Sequence, residues 1–190
     1  MQVELNGLPV FIDTGGREFF PGHPTLVFIH GAQHDHFVWK SQVTRLASPE
    51  LNVLAPDLPG HGRSGGPPLP SIEAMADWLV TLLAKVGAGG TAQEAPITLA
   101  GHSMGSLVAL EAAARLSGQV SHLVMIGTAI PMPVSPALLD AARDDEPKAM
   151  ALINPWSHSA TAWRGGNRGS QGIWLPAMNQ RIMERQPAGT

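Results

Sequence analysis

The first 128 residues alternate between short unbroken apolar runs and longer stretches in which apolar residues recur every three or four positions. Residues 2–12 read as two strands about Asn6-Gly7, a dipeptide that suits a tight hairpin turn. A Gly- and Pro-rich loop follows over 13–24. The run Leu26-Val27-Phe28-Ile29 inside 25–30 has no polar alternation, which predicts a strand buried on both faces. Residues 36–47 read as a helix with Phe37, Val38, Val43 and Leu46 on its apolar side. Residues 51–55 form a second buried strand, closed by Pro56-Asp57-Leu58-Pro59-Gly60. Ser71 is suited to cap a helix, with Glu73 and Asp77 near its positive end, and that helix runs to about Val86 before Gly87. After a loop over 89–96, residues 97–100 give a third buried strand. Residues 104–116 give a helix, and residues 122–126 a fourth buried strand.

Past residue 128 the pattern changes. Prolines stand at 131, 133, 136, 147, 155, 176 and 187, and only weak amphipathic pieces remain, at 136–143 and 147–153. Residues 156–172 are rich in Ser, Gly and Asn. Strands alternating with helices require right-handed crossovers and a parallel sheet. The remainder reads as an irregular helical layer over one end of that sheet.

The junction of the third strand and its helix carries the candidate chemistry. It reads Gly101-His102-Ser103-Met104-Gly105. A serine on so sharp a strand-to-helix turn has its hydroxyl pushed out above the sheet, and the helix start offers N–H groups to a developing oxyanion. A second match, Gly62-Arg63-Ser64-Gly65-Gly66, follows a turn and precedes Pro67-Pro68, so Ser64 reads as a loop residue. His30 and His102 sit inside these fold motifs and read as hydrogen-bonded structural residues. His34-Asp35-His36 lacks the further ligands of a metal site, so no metal is expected, and these residues are placed at a substrate entrance.

Three motifs together resemble the α/β-hydrolase superfamily. Phe28-Ile29-His30-Gly31 follows the first buried strand. Asp57-Leu58-Pro59-Gly60-His61-Gly62-Arg63-Ser64 follows the second, and the Ser103 turn follows the third. The resemblance implies an α/β fold of the α/β-hydrolase type: an incomplete, mostly parallel sheet with helices on both faces and a partial helical cap. The core is expected over 1–129 and the cap over 130–190, with the final strands that carry acid and base absent. It implies Ser103 as nucleophile, and an oxyanion hole from the N–H of Ala32 or Gln33 together with that of Met104. A serine at this position argues against haloalkane dehalogenases and epoxide hydrolases, which place an aspartate there. It favours esterases, C–C bond hydrolases, lactonases and cofactor-free perhydrolases.

The family's chain order, Ser then acid then His, is met only by Asp140, Asp144 or Asp145 followed by His158. Those aspartates read as solvated helix-face carboxylates and His158 as a surface histidine, so acid and base stay unassigned. Trp156, Trp163 and Trp174 are candidates for an acyl pocket or for plain cap packing.

A net charge of −3 without a basic stretch gives nucleic acid no footprint. The chain has no cysteine, which removes disulfides, thiolate metal sites and a cysteine nucleophile. No apolar run reaches membrane-span length and no basic-then-apolar leader opens the chain, so the expectation is a cytoplasmic protein. No cofactor is expected. The partner is a small-molecule ester-like substrate, with self-association through an exposed edge at 122–126. Three functions remain open: a serine hydrolase of small carboxylic or thio-esters, a catalytically silent truncated remnant, or a binding module.

Overall fold

The computed structural model describes residues 1–90, 94–156 and 174–187. Six strands form one sheet: β1 (Gln2–Leu5), β2 (Leu8–Asp13), β3 (Thr25–Ile29), β4 (Asn52–Pro56), β5 (Ile97–His102) and β6 (Val120–Ile126). Their spatial order is β1-β2-β4-β3-β5-β6. The β1–β2 hairpin turns at Asn6-Gly7, both at positive φ, and β2 then runs antiparallel to β4. From β4 through β3 and β5 to β6 every pairing is parallel.

The helices α1 (Lys40–Leu46), α2 (Ile72–Val86) and α3 (Met104–Arg115) cover the two faces of this sheet. Alternation along the buried strands decides which residue meets which layer. Val27 and Ile29 of β3 pack with Leu54 and Leu99 against Leu79, Leu82 and Leu83 of α2 and Val108, Ala109 and Ala112 of α3. Phe28, Val53, Ala55 and Ala100 point to the opposite face, against Trp39 and Val43. The Ser71 hydroxyl caps α2 by accepting from the Ala74 N–H (3.2 Å), and Gly87 ends it in the left-handed conformation.

Two sequence expectations change here. Residues 36–47 are not one helix. The Asp35 carboxylate accepts from the Phe37 N–H (2.8 Å) and opens a 3-10 turn over His36–Trp39, after which α1 begins. The tighter turn leaves Phe37 exposed and brings Trp39 inward, where it stacks on Phe28 with ring centroids 4.7 Å apart. Residues 122–126 do form a strand, but not a buried one. Among the described residues β6 pairs only with β5, and Val124 and Ile126 are each 43% exposed.

Beyond β6 the described residues are helical: α4 (Pro136–Asp144), α5 (Glu146–Trp156) and α6 (Trp174–Met183). They pack in succession, and α6 rests on the 3-10 turn after β3. The sequence reading placed no helix over 174–183, where it noted Pro176 only as one of the prolines. Pro176 lies in the first turn, where a missing N–H costs nothing. No described helix is long and apolar enough to cross a membrane.

Leu79 is fully buried at the centre of the α2 layer. Leu79→Ala is expected to lower unfolding free energy by about 2–5 kcal/mol, the range for leucine-to-alanine changes in packed cores, as read by urea denaturation.

Candidate active site

The strand order reverses at β3. From it the chain crosses to β4 on one side and to β5 on the other. In a parallel sheet such a point leaves a crevice beyond the strands' carboxyl ends. The loop after β3, the loop after β4 and the turn after β5 all open there.

The turn after β5 depends on two glycines. A Cβ on Gly101 would lie 2.1 Å from the Gly105 carbonyl oxygen, and one on Gly105 would lie 2.4 Å from the carbonyl oxygens of Ile29 and His30. Only bare backbone lets α3 press against both β5 and β3. Ser103 sits between them at φ 53°, ψ −124°, an uncommon conformation for a residue with a side chain. Such strain, of order 1–3 kcal/mol, persists only where neighbours fix it. They do: the Ser103 N–H donates to the Ile126 carbonyl (2.9 Å). Its own carbonyl accepts from the Ser106 N–H (2.9 Å) and hydroxyl (2.5 Å). Thr128 donates in turn to the Ser106 hydroxyl at 2.6 Å. The Ser103 hydroxyl itself has no hydrogen-bond partner among the described residues, and the side chain is half-buried.

The loop after β3 closes against this turn. A Cβ on Gly31 would stand 3.3 Å from the Ser103 Cβ and 3.3 Å from the His102 carbonyl oxygen. Ala32 follows exposed, and Gln33 follows buried at φ 56°. Among the described residues the N–H groups of Ala32, Gln33 and Met104 make no hydrogen bond. The structure thus gathers Ser103, Met104 and the Gly31–Gln33 backbone into one corner.

Four histidines surround that corner. His30 is fully buried. Its Nδ1–H donates to the Gly31 carbonyl (2.9 Å), and its Nε2 accepts from the Leu58 N–H (3.0 Å), tying the loop after β3 to the loop after β4. Burial, with the nearby His61 adding to it, pushes His30 down to about 3, so the ring is neutral. His61 donates through Nδ1 to the Pro59 carbonyl (3.0 Å), and burial lowers its pKa too. His102 departs from the sequence reading. Neither of its ring nitrogens is hydrogen-bonded among the described residues, and it stands edge-on to His34 at 6.4 Å. Burial, then His34, lowers its pKa. His34 bonds the Ala32 carbonyl through Nδ1 (2.7 Å) and the Asn179 side chain through Nε2.

Asp35, His36 and Asp57 place one ligand atom each within 4.8 Å of one another, the single described group with metal-like spacing. Their bonds point elsewhere. Asp57, fully buried, accepts from the His36 N–H (2.7 Å), the His36 Nδ1 (2.8 Å) and the Arg63 N–H (2.9 Å). Asp35 caps the 3-10 turn and faces Arg185 and Gln186. With its oxygens on protein N–H groups, the cluster clasps loops together. Sequence reasoning gave Asp57 no role of its own and missed Gln186 and Asn179 entirely.

The other singled-out residues lie apart. The Ser64 hydroxyl accepts from the Phe11 N–H at 3.0 Å, docking its loop on β2. Asp140 is exposed on α4 beside Arg143 (3.6 Å). Asp144 ends that helix in solvent, and Asp145 accepts from the Lys148 N–H (3.2 Å) at the start of α5. His158 and Trp163 lie outside the described residues, as do the side chains of Trp156 and Trp174.

A model of the alpha/beta hydrolase family matches residues 26–188. The chain is 33% identical over 147 residues to lipase LipV of Mycobacterium tuberculosis, covering 77% of this chain and 51% of the lipase. It is 36% identical over 117 residues to a pimeloyl-[acyl-carrier protein] methyl ester esterase of Methylococcus capsulatus, covering 62% of this chain and 40% of the esterase. It therefore spans about half the length of these curated relatives, or less. Among solved structures, a thermophilic esterase from Thermogutta terrifontis superposes with a TM-score of 0.75 at 24% identity, over 99% of this chain and 68% of that one. The N-acyl homoserine lactone degrading enzyme Est816 gives 0.75 at 21%, over 97% and 65%.

His30 makes stability depend on pH. Its folded pKa lies below that of the unfolded chain, 6.5, so between 6.5 and about 3 only the unfolded chain takes up the proton. Stability is fully present above 6.5 and falls with acid, by about 1.4 kcal/mol per pH unit for one such histidine. His61 and His102 act in the same direction. Urea titrations from pH 6.5 to 4.5 should show this decline, and His30→Asn should be less stable at pH 7 yet shallower in slope. An equal slope in both proteins would contradict it.

Proposed function

The chain belongs to the alpha/beta hydrolase family, and we propose that it is a serine hydrolase-type protein whose Ser103 attacks a small ester or related acyl compound. The observation that carries this reading is the Ser103 backbone at φ 53°, wedged between β5 and α3, with its hydroxyl unbonded in the crevice. The lipase and esterase names among the curated relatives support an ester substrate. Residues 130–190 act in this reading as a helical cap on a core formed by 1–129.

The reaction forms a bond from Ser103 Oγ to the acyl carbon as the hydroxyl proton leaves to a base. The carbonyl π electrons move onto oxygen. In this reading that oxyanion is received by the Met104 N–H and by the N–H of Ala32 or Gln33, which make no hydrogen bond among the described residues. Collapse expels the protonated leaving group and leaves an acyl-serine, which water cleaves by the same route. Burial holds His30, His61 and His102 in the neutral form, so the charge developed on oxygen has no fixed imidazolium beside it from these three.

No described residue hydrogen-bonds Ser103 Oγ as a base would, and this favours a weakly active or silent chain. Loss of the histidine base from a serine hydrolase costs roughly 10⁶ in kcat, which would bring an ordinary ~10 s⁻¹ down to about 10⁻⁵ s⁻¹. A fluorophosphonate probe should label the protein at Ser103. Labelling should vanish in Ser103→Ala and persist in Ser64→Ala, while p-nitrophenyl acetate turnover stays near that low value. Turnover near one per second that Ser103→Ala abolishes would show that a base reaches the serine. Equal loss of labelling in both variants would remove Ser103 from the reading.

Self-association through β6 belongs to the same proposal. Among the described residues one edge of β6 is unpaired and carries no Asp, Glu, Lys, Arg or proline, and such edges pair with other chains. Light scattering after size exclusion should give a mass above 20 kDa that Val124→Lys returns to the monomer value. A monomeric parent protein would refute it.

A further inference from the structure

The seam between the loops after β3 and β4 is closed by a residue distant in sequence from both. Gln186, just past α6, is 8% exposed. Its Oε1 accepts from the Gly62 N–H at 2.8 Å. Its Nε2 donates to Asp35 Oδ2 at 3.1 Å and to the Ile182 carbonyl at 2.9 Å. The partner set fixes the amide's orientation: one end meets a donor, the other meets two acceptors. Gly62 has no room for a larger residue at this seam, since a Cβ there would lie 2.4 Å from Asp57 Oδ2 and 2.9 Å from the Asp35 Cβ.

The same segment grips the loop after β3 twice more. Asn179 of α6 bonds His34 Nε2, while His34 Nδ1 bonds the Ala32 carbonyl. The Arg185 guanidinium lies 3.5 Å from Asp35 Oδ2 and 5.7 Å above the Phe37 ring. Between these anchors stands Gln33, whose positive φ needs outside support.

We propose that Gln186 is a positioning residue: by strapping Asp35 to Gly62 it holds the Ala32–Gln33 N–H groups where an oxyanion on the Ser103 adduct forms. This rests on the assignment of Ser103 as nucleophile. The residue touches no substrate and acts through Asp35 and the backbone it fixes.

A charge-pattern swap tests it. Gln186→Glu keeps the shape and the acceptor toward Gly62 but turns a carboxylate onto the Asp35 carboxylate. The labelling rate constant at saturating fluorophosphonate should fall by about 10-fold or more, as for weakened oxyanion donors, with half-saturating probe concentration little changed. Adding Asp35→Asn restores a donor–acceptor pair between positions 35 and 186 while its remaining oxygen still caps Phe37, so that only the Ile182 carbonyl stays without its former donor. The double variant should recover to within about threefold of the parent. Amide exchange at residues 32–35 should speed up in Gln186→Glu and slow again in the double variant. Unchanged exchange in Gln186→Glu overturns the proposal. So does faster exchange with an unchanged labelling rate, which would make Gln186 merely structural. So does loss of labelling that the double variant does not restore. If the parent is not labelled at Ser103, the assignment of the nucleophile fails and the proposal is overturned with it; faster exchange at 32–35 in Gln186→Glu would then show that Gln186 holds the loop but not that it positions an oxyanion donor.

Discussion

Ser103 is held at φ 53° where strand and helix meet backbone to backbone, and that contact organises this molecule. Gly101 and Gly105 remove the two Cβ atoms that would keep α3 off β5 and β3. Once α3 is that close, its start lies at the mouth of the switch-point crevice, Val108 and Ala112 reach the layer shared with α2, and Gly31 fits against the serine. The core and the candidate site are thus two results of one packing constraint. Adding a methyl group at either glycine would oppose both.

Around this contact the polar groups are spent on joining loops. His30 links the loop after β3 to the loop after β4, Asp57 gathers three N–H donors, and Asp35 faces the end of α6. A buried histidine bonded on both nitrogens to neutral backbone stays neutral, because a charge there would lose its hydration with nothing to replace it. The corner around Ser103 therefore combines backbone N–H groups that make no hydrogen bond among the described residues with the rings of His30, His61 and His102, whose pKa values burial lowers.

The local chemistry of the fold was legible in the chain. Unbroken apolar runs marked β3, β4 and β5, Asn6-Gly7 marked the hairpin, and Ser71 and Gly87 bracketed α2. The Ser103 turn was separable from the Ser64 repeat because only one had a strand before it and a helix after it. Elsewhere the apolar pattern lacked the information. Trp39 became a core residue through a 3-10 turn that shifts the helical phase by part of a turn. The run in β6 is as apolar as a buried strand, although its faces are half open, since composition does not record how many neighbours a strand has. Gln186 had no signal at all: an amide's partners are chosen by three-dimensional proximity, and no periodicity announces them.

The seam closed by Gln186 has a consequence for the order in which the molecule assembles. The Ser103 turn is local, its strand, serine and helix being adjacent in sequence. The bonds at the seam join residues 124 and 151 positions apart. Contacts of such separation gain free energy only after the intervening sheet has formed. The strained serine turn and the fastening of the loops beside it thus depend on stretches of chain far apart in sequence.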